Sequence, residues 1–191
     1  MDMTLELADS KLRMAPMDAH AVRILMDAGA LPNDGRVELV DGALVEMSPA
    51  NEKHGSAMIS IGGFLRYNLP KPYRVVGDAA AYLSDDLMLG PDIVVLSCNA
   101  RSHEAKGPDF DLIIEISHTT LTQDLGWKAE RYARHGVREY WVVDLENEKL
   151  HIHRDPSGDA FQIITAQDWT SEARPHLLPD VTLTLADILA E

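Results

Sequence analysis

Asp92-Ile93-Val94-Val95-Leu96 and Leu112-Ile113-Ile114-Glu115-Ile116 are two short runs of aliphatic, largely β-branched residues, each carrying a single carboxylate. A strand with one face in water alternates apolar and polar positions. These two are apolar at successive positions, which places them in the middle of a sheet covered on both faces. Working outward, Tyr73–Val76 and Ala79–Leu83 read as short strands before them. Glu139–Val143 and Leu150–Arg154 read as strands after them, joined by a turn at Glu146-Asn147. Asp155-Pro156-Ser157-Gly158 predicts a further turn leading into Phe161–Thr165.

Helical spacing of apolar residues occurs three times between these runs. Ala21, Ile24, Leu25 and Ala28 follow Asp18 and stop at Gly29 and Pro32. His54, Met58, Ile61 and Leu65 share one helix face, with His54 on the buried side. Leu125, Ala129, Tyr132 and Ala133 form a stripe that ends at Gly136. The tail from Pro179 to Ala190 reads as a short strand and a closing helical turn. The whole predicts a mixed α/β (α+β) fold, a central mixed sheet flanked by helices.

Val37-Glu38-Leu39-Val40, Asp41-Gly42 and Ala43-Leu44-Val45-Glu46-Met47 form a hairpin signal, because Asp-Gly suits the positive φ angles of a two-residue type I′ turn. Ser48-Pro49 ends it. With 41 and 42 at the turn, Val40 faces Ala43 and Glu38 faces Val45. Glu38 is therefore an acid on an otherwise apolar sheet face.

The chain has 191 residues, a length that fits one domain; 17–191 are expected to form it, behind a weakly patterned arm at 1–16. A hydrophobic fraction of 46% and a charged fraction of 25% exclude disorder of the whole chain. There is no apolar run long enough to span a membrane and no signal-peptide core, so the expectation is a cytoplasmic protein without a membrane partner. The single cysteine, Cys98, excludes an internal disulfide and a multi-cysteine zinc site. Charge is unusual: 17 Lys+Arg against 31 Asp+Glu give −14. Such a balance opposes non-specific nucleic-acid binding, which depends on neutralising phosphates, unless a basic patch or metal ions intervene.

Asp92 and Glu115, one on each central strand, would repel each other if both were buried and ionised. A divalent metal between them resolves the conflict, and a few hard oxygen ligands with positions left for water suit Mg²⁺ or Mn²⁺. The alternative is structural: Asp92 caps a turn and Glu115 pairs with an arginine.

Pro91-Asp92, Ile114-Glu115-Ile116-Ser117, Asp124-Leu125-Gly126-Trp127-Lys128 and Tyr132 through Asp144, taken with the Val37–Gly42 hairpin and Met47-Ser48-Pro49, form an ordered set. The set resembles the bacterial "putative restriction endonuclease" family with a PD-(D/E)xK nuclease core. The resemblance implies a metal-dependent phosphodiesterase on a restriction-endonuclease-like fold. Asp92 and Glu115 would hold Mg²⁺ or Mn²⁺, with the Ile116 carbonyl as an additional ligand. Ser117 stands where the usual core has its lysine, two positions after the glutamate. The family's lysine in the following helix matches Lys128, whose role would be to orient the attacking water. Outside the resemblance, Lys128 reads equally as a solvated lysine at a helix edge.

Glu38 is similar to the acid that the family supplies from its first block, completing the metal shell directly or through water; a structural salt bridge is the other reading. His54 matches a position where the family often has histidine, although Asn51-Glu52-Lys53 depart from the usual proline- and arginine-rich approach. A core histidine bonded to a backbone carbonyl is the alternative. Asp124 reads as a helix cap or a partner of Lys128. Lys128, Arg131, Arg134, His135 and Arg138 make a basic strip from which Arg131 and Arg138 would contact phosphate, unless it is a solvated helix face. Lys71, Arg74 and Lys106 form a second possible set. Tyr140 and Trp141 read as core.

Three functions follow from this. The first is a Mg²⁺-dependent endonuclease acting on DNA, with Asp92, Glu115, Lys128 and Glu38 as its catalytic set. The second is a nuclease-fold dimer that no longer cuts and serves as a binding or regulatory module, as Ser117 and the acidity would suit. The third is a hydrolase of a small phosphorylated substrate, which requires a closed pocket. A homodimer is expected by analogy with restriction-type nucleases that cut both strands as two-fold pairs.

Overall fold

The computed structural model describes residues 16–31, 36–47, 51–97, 104–178 and 180–190. Residues 1–15 of the expected arm, Ser48-Pro49, Cys98 and Pro179 lie outside the described residues. The elements run α1 (Ala19–Asp27), β1 (Val37–Val40), β2 (Ala43–Glu46), α2 (Glu52–Asn68), β3 (Arg74–Gly77), β4 (Ala81–Ser84), β5 (Leu87–Leu89), β6 (Ile93–Leu96) and β7 (Phe110–Ser117). There follow α3 (Leu121–Gln123), a π turn (Asp124–Lys128), α4 (Ala129–Arg134), β8 (Glu139–Asp144), β9 (Lys149–Ser157), β10 (Ala160–Asp168), β11 (Glu172–Ala173), β12 (Leu183–Thr184) and α5 (Leu185–Leu189). Among the described residues no helix is long and apolar enough to cross a membrane.

Six strands form the central sheet in the order β10-β9-β8-β7-β6-β3. Only β7 and β8 run parallel, because the helical crossover between them returns the chain to the same end; the other neighbours are antiparallel. The fold is thus the expected mixed sheet, with β6 and β7 inside it. Their alternation divides the core. Ile93, Val95, Leu112, Ile114, Trp141 and Val143 face α2 and α5, while Val94, Leu96, Ile113, Tyr140 and Val142 face α4 and the small sheet. Burying a side chain such as Ile61 or Leu65 of α2 against the first layer contributes about 1.5–3 kcal/mol.

The small sheet runs β2-β1-β5-β4. Its hairpin has the predicted register, Val40 opposite Ala43 and Glu38 opposite Val45, turning on Asp41 at φ 52 and Gly42 at φ 79. Asp18 caps α1 by accepting from the Ala21 amide, and Asn51 caps α2 by accepting from the His54 amide at 2.9 Å.

Three local expectations change. β5 and β11 are strands that the sequence pattern did not show, both of three residues or fewer. β9 continues through Asp155-Pro156-Ser157 and turns at Gly158 instead. Its pairing with β8 ends at Arg154, so Pro156, which has no amide hydrogen, meets only β10 and disturbs no second ladder. The helix after Ser117 is not continuous: α3 and α4 are joined through the wider π turn, where Gly126 departs from helical geometry at φ −99, ψ −111.

Candidate active site

The antiparallel register of β6 and β7 sets Ile93 opposite Ile114. One step further, past the start of β6, Asp92 comes opposite Glu115, and opposed residues share a sheet face. The Ile116 amide donates to Asp92 Oδ2 at 2.6 Å, and the Asp92 amide donates to Glu115 Oε2 at 3.3 Å. The first turn of α2 brings His54 Nε2 to 3.1 Å from Asp92 Oδ1.

Glu115 points into the layer below α4 and is almost wholly buried. Its Oε1 accepts from Lys128 Nζ at 3.1 Å and from the Tyr132 hydroxyl at 3.0 Å. Lys128 Nζ also lies 3.0 Å from Glu38 Oε1 and 3.8 Å from Asp124 Oδ1. The Gly90 amide donates to Glu38 Oε1 at 3.1 Å, and the Thr120 hydroxyl donates to Asp124 Oδ2 at 2.6 Å. The π turn begins and ends on Asp124 and Lys128 and buries both. Lys128 therefore points into the sheet and does not lie along the helix edge.

Burial pushes the Glu115 carboxyl well above the usual range; Lys128 opposes the shift, while Asp92, Asp124 and Glu38 add to it. Burial likewise raises Asp124. For Lys128 burial alone would lower the pKa, but Glu115, Glu38 and Asp124 outweigh it and hold the ammonium above the ordinary lysine value. The hydrogen bond to Asp92 raises His54.

Glu38, His54, Asp92, Glu115, Ile116, Asp124 and Lys128 all line one cavity of about 230 Å³. Seven residues predicted from separate segments thus come together. Ser117, at the usual lysine position, is buried with its hydroxyl 3.4 Å from that of Thr120, and the Lys128 ammonium reaches Glu115 in its place. Glu38 is bound to Lys128 and to the Gly90 amide, so its contact is with the lysine.

Arg131 and Arg138, expected as phosphate contacts, do not line the cavity. Arg131 is ion-paired with Asp41 on the hairpin turn. Arg138 lies 3.1 Å from Asp111, at the opposite end of β7 from Glu115. Arg134 pairs with Asp159 at 2.7 Å. Neither Lys71, Arg74 nor Lys106 borders the cavity. Tyr140 and Trp141 are core, as expected.

Tyr132, Arg36, Trp127, Asn51 and His118 are at the site without having been predicted there. Tyr132 had a signal: it lies four residues after Lys128, so a helix that aims the lysine at Glu115 aims the tyrosine there too. Five carboxylates, Glu38, Glu46, Asp92, Glu115 and Asp124, line the cavity with Lys128, Arg36 and two histidines, an excess of negative charge that a divalent cation would balance. Among the described residues no three His, Cys, Asp or Glu side chains form a ready cage. A cation at Asp92 and Glu115 would thus take its other ligands from backbone and water, as Mg²⁺ commonly does.

The family model Uma2, described as "Putative restriction endonuclease", matches residues 25–186. Among solved structures, the crystal structure of a putative nuclease from Anabaena variabilis is similar at a TM-score of 0.66 and 18% identity, covering 86% of this chain and 97% of that one. That likeness is one of fold. No curated protein matches the sequence.

Proposed function

The chain belongs to the Uma2 family of putative restriction endonucleases, and from that premise we propose that it is a Mg²⁺- or Mn²⁺-dependent endonuclease hydrolysing phosphodiester bonds of DNA. The observation that carries the reading is the convergence of Asp92, Glu115 and the Lys128 ammonium on one cavity. Asp92 and Glu115, with the Ile116 carbonyl, would hold the ion. When bound it supplies a more acidic water and neutralises charge building on the phosphate.

The chain's own residues do the rest. His54 and the Ile116 amide fix the orientation of Asp92. Tyr132 and Lys128 fix Glu115. Lys128, held by Glu38 and Asp124, is a permanent cation whose hydrogens would orient the attacking water and meet the growing negative charge. Because its ammonium stays protonated, it acts by charge and orientation and not as a proton acceptor.

Asp92→Ala is expected to lower cleavage of plasmid or oligonucleotide DNA by roughly a hundredfold or more, with an unchanged circular-dichroism spectrum. A folded variant that cleaves at the full rate refutes the assignment.

The non-catalytic module is favoured by one observation: Lys128 is already ion-paired with both Glu38 and Glu115. Calorimetric titration of Mn²⁺ into wild type and Glu115→Gln separates the two. A discrete site lost in the variant supports the enzyme, and equal weak uptake supports the module. The homodimer belongs to the same proposal, and β10 is the surface that supports it. Residues 160–167 carry no charge on a chain of net −14, and β10 is an edge strand with Ile163 50% and Ile164 61% exposed. Such an edge is suited to pairing with its own copy.

A further inference from the structure

One wall of the cavity is apolar. Val45 faces Glu38 across the hairpin and is 41% exposed, and Met47 and Trp127 continue that wall beside the acids. Trp127 is partly exposed. The Arg131 guanidinium lies over its ring, 5.4 Å from the centroid, and is anchored by Asp41. The indole is therefore held between Arg131 and the core layer it packs against, and its exposed part lines the same cavity as Asp92 and Glu115, a preorganised aromatic edge of the site. Nothing in the proposed hydrolysis uses it.

Resting on the nuclease reading, we infer that Trp127 is a stacking platform for an unpaired base next to the scissile phosphate, so that the substrate class is single-stranded or locally unpaired nucleic acid. Every base has a face that stacks on an indole, but only a base outside a duplex can offer it. The cavity, at about 230 Å³, is smaller than the roughly 300–1,000 Å³ of pockets that enclose a drug-sized ligand. It admits one base. Holding a duplex requires lysines and arginines along both backbones. Among the described residues only one arginine, Arg36, lines the cavity, and Arg131, Arg134 and Arg138 outside it are each ion-paired with an aspartate, Asp41, Asp159 and Asp111, which weakens such a grip.

The test uses the full chain with Ca²⁺ in place of Mg²⁺ to suppress hydrolysis. Fluorescein-labelled oligothymidylate is titrated alone, and annealed to its complement, with anisotropy as readout. The same two oligonucleotides are then offered for cleavage with Mn²⁺. Wild type is expected to bind the single strand more tightly than the duplex. Trp127→Ala is expected to weaken single-strand binding about tenfold, equivalent to about 1.4 kcal/mol, and Trp127→Phe, which keeps an aromatic face and much of the packing, to restore most of it. Thermal melting of both variants checks that they fold; should Trp127→Ala unfold, the comparison rests on Trp127→Phe against Trp127→Leu. Equal binding of duplex and single strand, or folded variants without aromatic character that bind as wild type does, overturns the stacking platform while cleavage by wild type leaves the nuclease standing. Wild type that neither binds nor cleaves either form overturns the nuclease reading and this inference with it.

Discussion

Replacing Lys128 with methionine tests the electrostatic design of the site, because the apolar stem keeps its packing while the ammonium is lost. Three carboxylates then remain with little compensation, on Glu38, Glu115 and Asp124, whose side chains are 7%, 4% and 3% exposed. Removing one partner of a buried ion pair costs about 3–5 kcal/mol. For a chain of this size each kcal/mol shifts Tm by about 2–4 °C, so a fall of roughly 6–20 °C is expected near neutral pH. The deficit depends on pH with a definite sign. Glu115 already has a raised pKa in the folded state, and without the ammonium it rises further. A carboxyl with a raised folded pKa destabilises the fold above that pKa and is relieved as pH falls through it. The gap between variant and wild type should therefore narrow as pH falls from neutral toward the ordinary carboxylate range, measured by urea melts at a series of pH values. Lys128→Met combined with Glu115→Gln should lose less than the sum of the two separate changes. A deficit under about 1 kcal/mol, or one that widens on acidification, refutes the picture of a lysine holding together a cluster of buried acids.

Other expectations concern the frame around the site. Gly107→Ala would bring a Cβ to 1.6 Å from the His135 carbonyl oxygen, a backbone atom that cannot swing away; a loss of about 1–3 kcal/mol is expected in denaturant melts, and an unchanged midpoint would disprove the close approach. Burial holds His153 down to about 4, against about 6.5 in an unfolded chain, so folding disfavours its charged form. Its contribution is complete above about pH 6.5 and is lost as pH falls toward 4, by roughly 3 kcal/mol. His153→Phe should flatten that acid limb, and an identical pH profile would count against the neutral buried ring. Ile164→Lys, on the exposed edge of β10, should shift the mass measured by light scattering toward the monomer without altering the monomer's melting by more than about 0.5 kcal/mol. A wild-type monomer, or a variant dimer as tight as wild type, removes β10 as the interface.

The parts of this molecule governed by short-range chemistry were legible in the sequence. Asp41-Gly42 dictates its own turn, and the turn dictates which hairpin residues oppose each other, so Glu38 could be placed opposite Val45 from residue types alone. Two unbroken apolar runs announced interior strands. What could not be read was anything that depends on which strand lies beside which. Asp92 and Glu115 are 23 positions apart, and they meet because β6 and β7 pair antiparallel in one particular register. The π turn was hidden for a different reason: a helical wheel assumes uniform rotation per residue, and the wider turn at Asp124–Lys128 breaks it, turning a lysine from the rim of the apolar stripe into the core. The ion pairs of Arg131 and Arg138 were hidden for the same reason as the Asp92–Glu115 meeting, because their partners Asp41 and Asp111 lie 90 and 27 positions away.

Those ion pairs bear on how so acidic a chain could act on a polyanion. If the arginines of the α4 strip faced solvent unpaired, the protein would carry a basic stripe, and duplex affinity would follow from counterion release alone. Instead they hold the hairpin, β7 and the β9–β10 turn in place through Asp41, Asp111 and Asp159. Cationic character at the cavity is left to Lys128, Arg36 and the histidines, and most of the lysine's charge is spent on Glu38, Glu115 and Asp124. An approaching phosphate therefore meets net negative charge unless divalent cations offset it, while an uncharged base meets the apolar wall of Val45, Met47 and Trp127 at no electrostatic penalty. On the proposed reading, selectivity for an open strand and a requirement for a metal ion would have one physical origin: a site that repels backbone charge and leaves an apolar wall for exposed bases.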